Sequence, residues 1–334
     1  MGTEVVVEGL TKSFAKKSVW RDVTLTIPAG EVSVMLGPSG TGKTVFLKSL
    51  VGLLKPERGH VYVDGTDIVT CSERHLYRAR KNFGMMFQDG ALFGSLSLYD
   101  NIAFPLREHT KKKEREIRDI VSEKMALVGL AGEEAKLPGQ ISGGMRKRAG
   151  LARALVLEPQ IILCDEPDSG LDPVRTAYLS QLLIDLNAKT GATILIVTHD
   201  IQIASTVPDN IGMLFRGDLV GFGPREVMLT SDHPAIAQFL GGRMDGPIAM
   251  AEEEDRANYG APARVPHAAP AEGSGLRRQL EPTTGLPPRP AVQRRLDRVM
   301  SVLHTLPPDA RQTILDSFTV TQRARYEAGI RGTQ

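Results

Sequence analysis

The chain carries almost no excess charge: 41 Lys and Arg against 39 Asp and Glu leave a formal net charge of +2 over 334 residues. That balance argues against bulk nucleic-acid binding as the main activity, which needs a strongly basic face. Cysteine is scarce as well. The two present, Cys71 and Cys164, lie far apart and give no disulfide framework. Cys164 falls inside an apolar strand pattern and reads as a small core residue. No apolar run approaches the roughly 18 residues that would cross a bilayer. The opening MGTEVVVEGL has no charged segment followed by a long apolar one, so no secretory leader is expected. It begins Met-Gly, but Val6 stands where a myristoylation signal needs Ser or Thr. The expectation is a soluble, cytosolic protein that meets a membrane only through a partner. With 41% hydrophobic residues the chain can bury a substantial core, as one large domain plus an appendage or as two domains.

What is present is organised around GPSGTGKT, Gly37 to Thr44, which reads G-x-x-x-x-G-K-[ST]. An apolar run, Val32 to Leu36, precedes it and suits a buried strand. Val45, Phe46, Leu47, Leu50 and Val51 follow at helical spacing. A glycine-rich loop between strand and helix turns its amides inward as an anion nest, and the helix dipole adds positive potential there. Lys43 supplies a full charge for phosphate, and Thr44 a hydroxyl ligand for Mg²⁺. The plainer alternative is a Gly-rich turn with a solvated lysine.

The remaining chemistry is spread along the chain. Residues 4–8 and 19–27 alternate as short strands, with Phe14 in the loop between them. Phe14 could stack on a purine or could be an ordinary loop or core residue. Gly59 to Val63 and Phe83 to Phe87 read as strands, and Gln88 leaves the second of them with an amide oxygen that can ligate Mg²⁺ and orient water. From about residue 90 or 95 to 158 helical periodicity dominates, with Ile117, Ile120, Val121, Met125 and Val128 on one face. Ser142-Gly143-Gly144 then open a helix: Ser is a favoured N-cap, and two glycines leave the turn approachable. This is either a capped helix start or a second anion site with no lysine of its own. Ile161 to Asp165 is an apolar strand ending in carboxylates. Asp165 can hold Mg²⁺, and Glu166 can take a proton from an attacking water. Ser169 to Asp172 is a tight turn that could reach across an interface. Ala192 to Asp200 is a second buried strand with His199 just past its end, where an imidazole could meet phosphate and carboxylate. Ile211 to Leu214 and Asp218 to Phe222 suggest a closing hairpin, and Ala235 to Leu240 a short helix.

Composition shifts near Met244. Residues 244–290 read as a flexible linker. Beyond it, residues 291–334 offer two short amphipathic helices, one over Val292 to His304 and one from Pro308-Asp309 with Ile314, Leu315 and Phe318. So small a pair cannot bury a core alone. It must dock on the rest of its own chain or on a partner, and docking on a neighbouring subunit is the expectation.

In this order, over residues 4 to 240, the motifs resemble the nucleotide-binding subunits of ABC transporters: P-loop, Gln88, Ser142-Gly143-Gly144, Ile161 to Asp165 with Glu166, Ser169 to Asp172, and His199. The form Ile141-Ser142-Gly143-Gly144-Met145 departs from the usual L-S-G-G-Q. With the Arg146-Lys147-Arg148 that follows, it is similar to the ATPases of Mce and Mla-type lipid transporters. The long tail is similar to actinobacterial Mce-associated ATPases of the Mkl or MceG type. The resemblance implies an α/β P-loop NTPase over residues 1–243: a RecA-like core, an antiparallel β subdomain and a helical subdomain, with a C-terminal helical extension. It implies ATP hydrolysis with Mg²⁺. Nucleotide contacts fall to Phe14, Gly37, Pro38, Ser39, Gly40, Thr41, Gly42, Lys43 and Thr44. Ser142, Gly143, Gly144 and Asp172 complete the pocket of the other copy in a head-to-tail homodimer. Thr44, Gln88 and Asp165 are the metal set, and Glu166, His199 and Gln88 the catalytic set. The implied partners are two integral-membrane, YrbE-like permease subunits at the cytoplasmic face of the membrane and, indirectly, Mce-type substrate-binding proteins. No nucleic acid is expected. Residues near Phe93, Leu96 and Tyr99 are candidates for the permease groove. DNA-repair ATPases with long coiled coils, tandem translation factors and non-hydrolysing binders fit less well. Heptads are missing, only one P-loop occurs, and Glu166 and His199 are both present.

Overall fold

The computed structural model describes residues 2–14, 17–249 and 276–331. Strands β1 (Val5–Phe14) and β2 (Lys17–Ile27) pair antiparallel, with Val5 opposite Ile27 and Ser13 opposite Ser18. Both outrun the alternating stretches that announced them. The ladder continues to Phe14 opposite Lys17, so Phe14 ends a strand and does not sit in a loop. β3 (Val32–Leu36) leads into α1 (Lys43–Leu50). β4 (Arg58–Val63) and β5 (Thr66–Asp67) complete an antiparallel sheet ordered β2-β1-β4-β5. Next come α2 (Glu73–Arg80) and β6 (Phe83–Met86). α3 (Leu98–His109), α4 (Glu114–Leu127) and α5 (Gly143–Leu155) follow, packed together through Ile102, Leu106, Ile117, Val121, Met125 and Leu151. The chain then alternates: β7 (Ile161–Asp165), α6 (Pro173–Thr190), β8 (Thr193–Val197), α7 (Ile201–Thr206), β9 (Asn210–Phe215). β10 (Asp218–Pro224), α8 (Arg225–Leu229) and α9 (Pro234–Gly241) close this part.

The second sheet is ordered β10-β9-β3-β8-β7-β6, parallel except for β10. β3, β7 and β8 are buried at every position, as parallel strands covered on both faces must be. Side chains alternate between faces. Val34, Leu36, Ile162, Cys164, Ile194 and Ile196 join the core under the helical block. Met35, Ile161, Leu163, Leu195 and Val197 join the core shared with α1 and the antiparallel sheet. Met35 lies opposite Val197, and Val197 opposite Asp165, so these strands finish level at one edge. That register sets the loops after β3, β7 and β8 side by side.

The extension holds three helices, α10 (Pro290–Val302), α11 (Pro308–Ser317) and α12 (Val320–Arg331). They dock on their own chain, which corrects the expectation of a neighbouring subunit. Glu31 and Asp209, just before β3 and β9, are fully buried. Arg298 donates to both carboxylate oxygens of Glu31, and Arg294 reaches the same group at 3.2 Å. Arg289 and Arg295 donate to Asp209. A buried carboxylate needs such partners, so the acids of the sheet and the arginines of the tail select each other. The linker reading also needs correction. Gln279 donates to the carbonyls of Val207 and Pro208, Leu280 N to Thr206 O, and Thr283 to Asp185, so residues 276–289 are packed. Residues 244–249 are held as well, with Ile248 N donating to Gln238 at 2.7 Å. The stretch 250–275 lies outside the described residues.

Candidate functional site

The loop between β3 and α1 needs glycine where it curls. Gly37 has φ +152°, and a Cβ there would strike the backbone carbonyl of Leu214. Gly42 has φ +87° at the helix N-terminus, and a Cβ would strike Val19. Beneath the loop the fully buried Trp20 stacks edge-on against Phe46. Lys43 is buried and donates to the carbonyls of Gly37 at 2.7 Å and Pro38 at 2.9 Å, while Thr41 Oγ1 donates to Pro38 O. The ammonium is therefore held inside the curl of its own loop.

Thr44 Oγ1 donates to Asp165 Oδ1 at 2.9 Å, linking the start of α1 to the end of β7. Burial, the largest influence, raises the Asp165 pKa above the ordinary carboxylate value, against the Thr44 hydrogen bond that lowers it. Glu166 comes next, with φ +45° and its amide donating to Val197 O at 2.8 Å. Its carboxylate is shared: Gln88 Nε2 donates to Oε2 at 3.0 Å, and His199 Nδ1 lies 3.5 Å from Oε1. Three residues that leave three different strands thus meet at one carboxylate. Thr44 and Asp165 present hard oxygen atoms, the donor set that suits Mg²⁺.

Ser142 caps α5, accepting from Met145 N at 3.2 Å. With Gly144 it lines a cavity of about 430 Å³ beside Arg148, Leu171, Tyr178 and Leu182, whose walls include no P-loop residue. Asp172 caps α6, accepting from Arg175 N at 3.0 Å. Phe14 is 47% exposed, with Lys12 Nζ 5.1 Å from its ring centre. The structure therefore brings Gly37–Thr44, Gln88, Asp165, Glu166 and His199 together. It leaves Ser142, Gly143, Gly144 and Asp172 at helix starts elsewhere on the surface.

A second cavity, about 530 Å³, is walled by Tyr77, Phe87, Phe93, Phe104, His109 and Arg153 among others. Of the three groove candidates only Phe93 lines it. Tyr99 is turned away, its hydroxyl donating to Glu114 at 2.8 Å, and Leu96 is half-buried.

Sequence reasoning missed Lys147, Asp168 and Thr198. Lys147 Nζ donates to Glu166 O at 3.0 Å and also to Ser169 O. Thr198 Oγ1 donates to Asp168 at 2.7 Å. The signal for Lys147 was available: it lies on the buried face of α5 with Gly150, Leu151 and Ala154, where a solvated charge has no place.

The chain is 65% identical over 335 residues to the "probable ribonucleotide transport ATP-binding protein mkl" of Mycobacterium tuberculosis, covering 98% of this chain and 93% of that one. The ABC transporter family model matches residues 20–169. The chain belongs to the ABC transporter ATP-binding family. It is also 40% identical over 244 residues to the "intermembrane phospholipid transport system ATP-binding protein MlaF" of Haemophilus influenzae, covering 73% of this chain and 92% of that one. Among solved structures it resembles the dimeric cassette MJ0796 in a post-hydrolysis state with ADP and Pi. The TM-score is 0.63 at 30% identity, over 66% of this chain and 98% of that one. As an ABC cassette it binds ATP and hydrolyses it, and it serves a transport system as the ATP-binding subunit. No described helix is long and apolar enough to cross a membrane.

Proposed function

We propose that this chain powers lipid transport, of the Mce type, through two separate YrbE-like permease subunits at the cytoplasmic face of the membrane. The observation that carries the reading is the split of the site. One edge holds a lysine-bearing phosphate loop beside Gln88, Asp165, Glu166 and His199. The Ser142-Gly143-Gly144 turn lies elsewhere, with an exposed Gly143 and a helix N-terminus but no lysine. Each half lacks what the other has. Two copies set head to tail complete two pockets, the P-loop of one facing the Ser142 turn and Asp172 of its partner. In each pocket the amides of Ser39 to Thr44 and the Lys43 ammonium hold the phosphates, Phe14 stacks on the base, and Glu166 takes the proton of the attacking water. Gln88 and His199 orient that carboxylate. Thr44, Asp165 and Gln88 would hold Mg²⁺, which neutralises charge on the terminal phosphates when bound.

The aromatic groove around Phe93, Phe104, Tyr77 and Phe87 suits an apolar helix end of a permease. The printed names of the relatives disagree on cargo, ribonucleotide for one and phospholipid for the other. The lipid reading follows the Met145 form of the signature turn and its basic successor, together with the MlaF likeness. The test is purification of the tagged full chain from membranes, followed by reconstitution in vesicles. A multi-spanning permease should co-purify, and ATP-driven movement of a fluorescent phospholipid should exceed that of a labelled ribonucleotide. Recovery with ribosomes or DNA, or movement of the ribonucleotide alone, would overturn the proposal.

A further inference from the structure

We propose that Lys147 is a positioning residue: it fixes the backbone that carries Glu166 and so couples helix α5 to the catalytic carboxylate of the same chain. The inference rests on reading Glu166 as the general base.

The geometry is unusual for a lysine. Lys147 lies in the second turn of α5, the helix capped by Ser142, and is only 6% exposed. Its ammonium meets two main-chain carbonyls, those of Glu166 and Ser169. The loop it enters is tight and strained. Glu166 has φ +45° and Gly170 φ +73°, and Ser169 N turns back to Glu166 O at 3.3 Å. A non-glycine residue in the left-handed region is strained and persists only where its surroundings hold it there. On one side Glu166 N donates to Val197 O. On the other side Glu166 O accepts from Lys147 at 3.0 Å, closer than from Ser169 N at 3.3 Å. Burial, the largest influence, lowers the Lys147 pKa, and the negative charges of Asp168, Asp89 and Glu166 offset it only in part. One cation therefore gathers the start and the far side of the loop that connects the base to Asp172.

The consequence is a mechanical link. The turn Ser142-Gly143-Gly144 and Lys147 belong to one rigid helix. A shift of that helix toward a nucleotide held by the partner copy carries the ammonium with it and re-aims Glu166. Without the ammonium the loop can relax toward ordinary φ, and the carboxylate leaves the position set by Gln88 and His199. A misplacement of about 1 Å at a reacting group can cost on the order of 100-fold in rate.

The test compares Lys147→Met, Lys147→Arg and Glu166→Gln in the full chain, reading kcat, KM for ATP, nucleotide affinity and melting temperature. Lys147→Met should lower kcat by about 100-fold while KM changes by less than about two-fold. Lys147→Arg, which keeps donors for both carbonyls, should recover at least about ten-fold of that loss. The double variant Lys147→Met with Glu166→Gln should be no slower than Glu166→Gln alone, because the two act as one unit. Equal losses in affinity, melting temperature and kcat would assign Lys147 a structural role and overturn the inference. Should Lys147→Met fail to fold, Lys147→Arg and Lys147→Gln carry the same comparison of kcat with KM. Full kcat in a folded Lys147→Met beside an inactive Glu166→Gln sinks this inference alone. Normal turnover in Glu166→Gln sinks the general-base reading itself.

Discussion

The two edges of the parallel sheet treat their carboxylates in opposite ways. Where the strands begin, Glu31 and Asp209 are fully buried, and Arg289, Arg294, Arg295 and Arg298 of the extension converge on them. Where the strands end, Asp165 and Glu166 meet a threonine hydroxyl, a glutamine amide and an imidazole. Lys43, at the same edge, is turned into its own loop. A carboxylate matched to fixed guanidinium groups is settled and stays so. One met by weaker donors keeps its capacity to take a cation or a proton. The first arrangement serves stability, and we propose that the second serves chemistry.

The most severe way to break this contrast is to remove residues 276–334. Both buried acids then lose every arginine of the extension. Breaking one such pair costs roughly 3 to 5 kcal/mol, and a domain has only about 5 to 15 kcal/mol in all. The truncated chain should fail to accumulate in soluble form, and Glu31→Gln with Asp209→Asn in the same truncation should restore part of the yield. A truncated chain that melts like the full one would show that the extension is an accessory. At the other edge, Glu166→Gln should cut kcat by about 10² to 10⁴ fold. Its melting temperature should stay close to that of the parent and nucleotide binding should persist, because a catalytic acid contributes little to the fold. If that substitution unfolds the protein while sparing the rate, the assignment of the edges is inverted.

A single arginine sharpens the comparison. Arg289 and Asp209 are both completely buried. Arg289→Met should destabilise by about 3 kcal/mol or more, measured by urea unfolding, with ATP turnover per folded molecule unchanged. Arg294 is 48% exposed and shares Glu31 with Arg298. Arg294→Met should cost under about 1 kcal/mol. Equal losses at the two positions would mean that burial does not set the strength of the cluster.

Much of the catalytic edge could be read from the sequence because its signals are local. A glycine spacing, a strand that ends in two acids and a histidine just past a buried strand each occupy a few consecutive residues. The opposite edge was illegible for the converse reason. Glu31 and Arg298 are separated by 267 positions, and nothing around either announces the other. Arg289 in a Pro-rich stretch looks like solvated linker, and Arg294, Arg295 and Arg298 look like the polar face of a helix; only the burial of their partners reveals otherwise. Helix α2 escaped notice because Ala79 is its only buried residue. Helix α6 has a clear start in Asp172-Pro173 and a clear stop in Gly191 with φ +64°, but reading Asp172 as a turn and pocket residue overlooks its place as a helix cap.

The gentlest test of the contrast is pH. Burial raises the pKa of Asp168, near the catalytic edge, above its ordinary 3.8, although Thr198 donates to it. A carboxyl raised in the folded state binds its proton more tightly there than in the unfolded chain. Its contribution therefore weakens stability as pH climbs from 3.8 through the raised value. Asp185 is the opposite case. Burial pushes it up, but the hydroxyl and amide of Thr283, from the packed strap before α10, together with Gln181 and the charge of Lys189, leave it below 3.8. Its stabilisation is complete above 3.8 and fades as pH falls through the lowered value. Unfolding free energies measured across this range should separate the two. Asp168→Asn should remove a loss that grows with rising pH, and Asp185→Asn a gain that vanishes in acid. Thr283→Val should reproduce only the second effect, because it removes the strap's hydroxyl and leaves the catalytic edge untouched. Slopes of the same sign in the Asp168 and Asp185 variants would show that these two acids are not held in opposite ways.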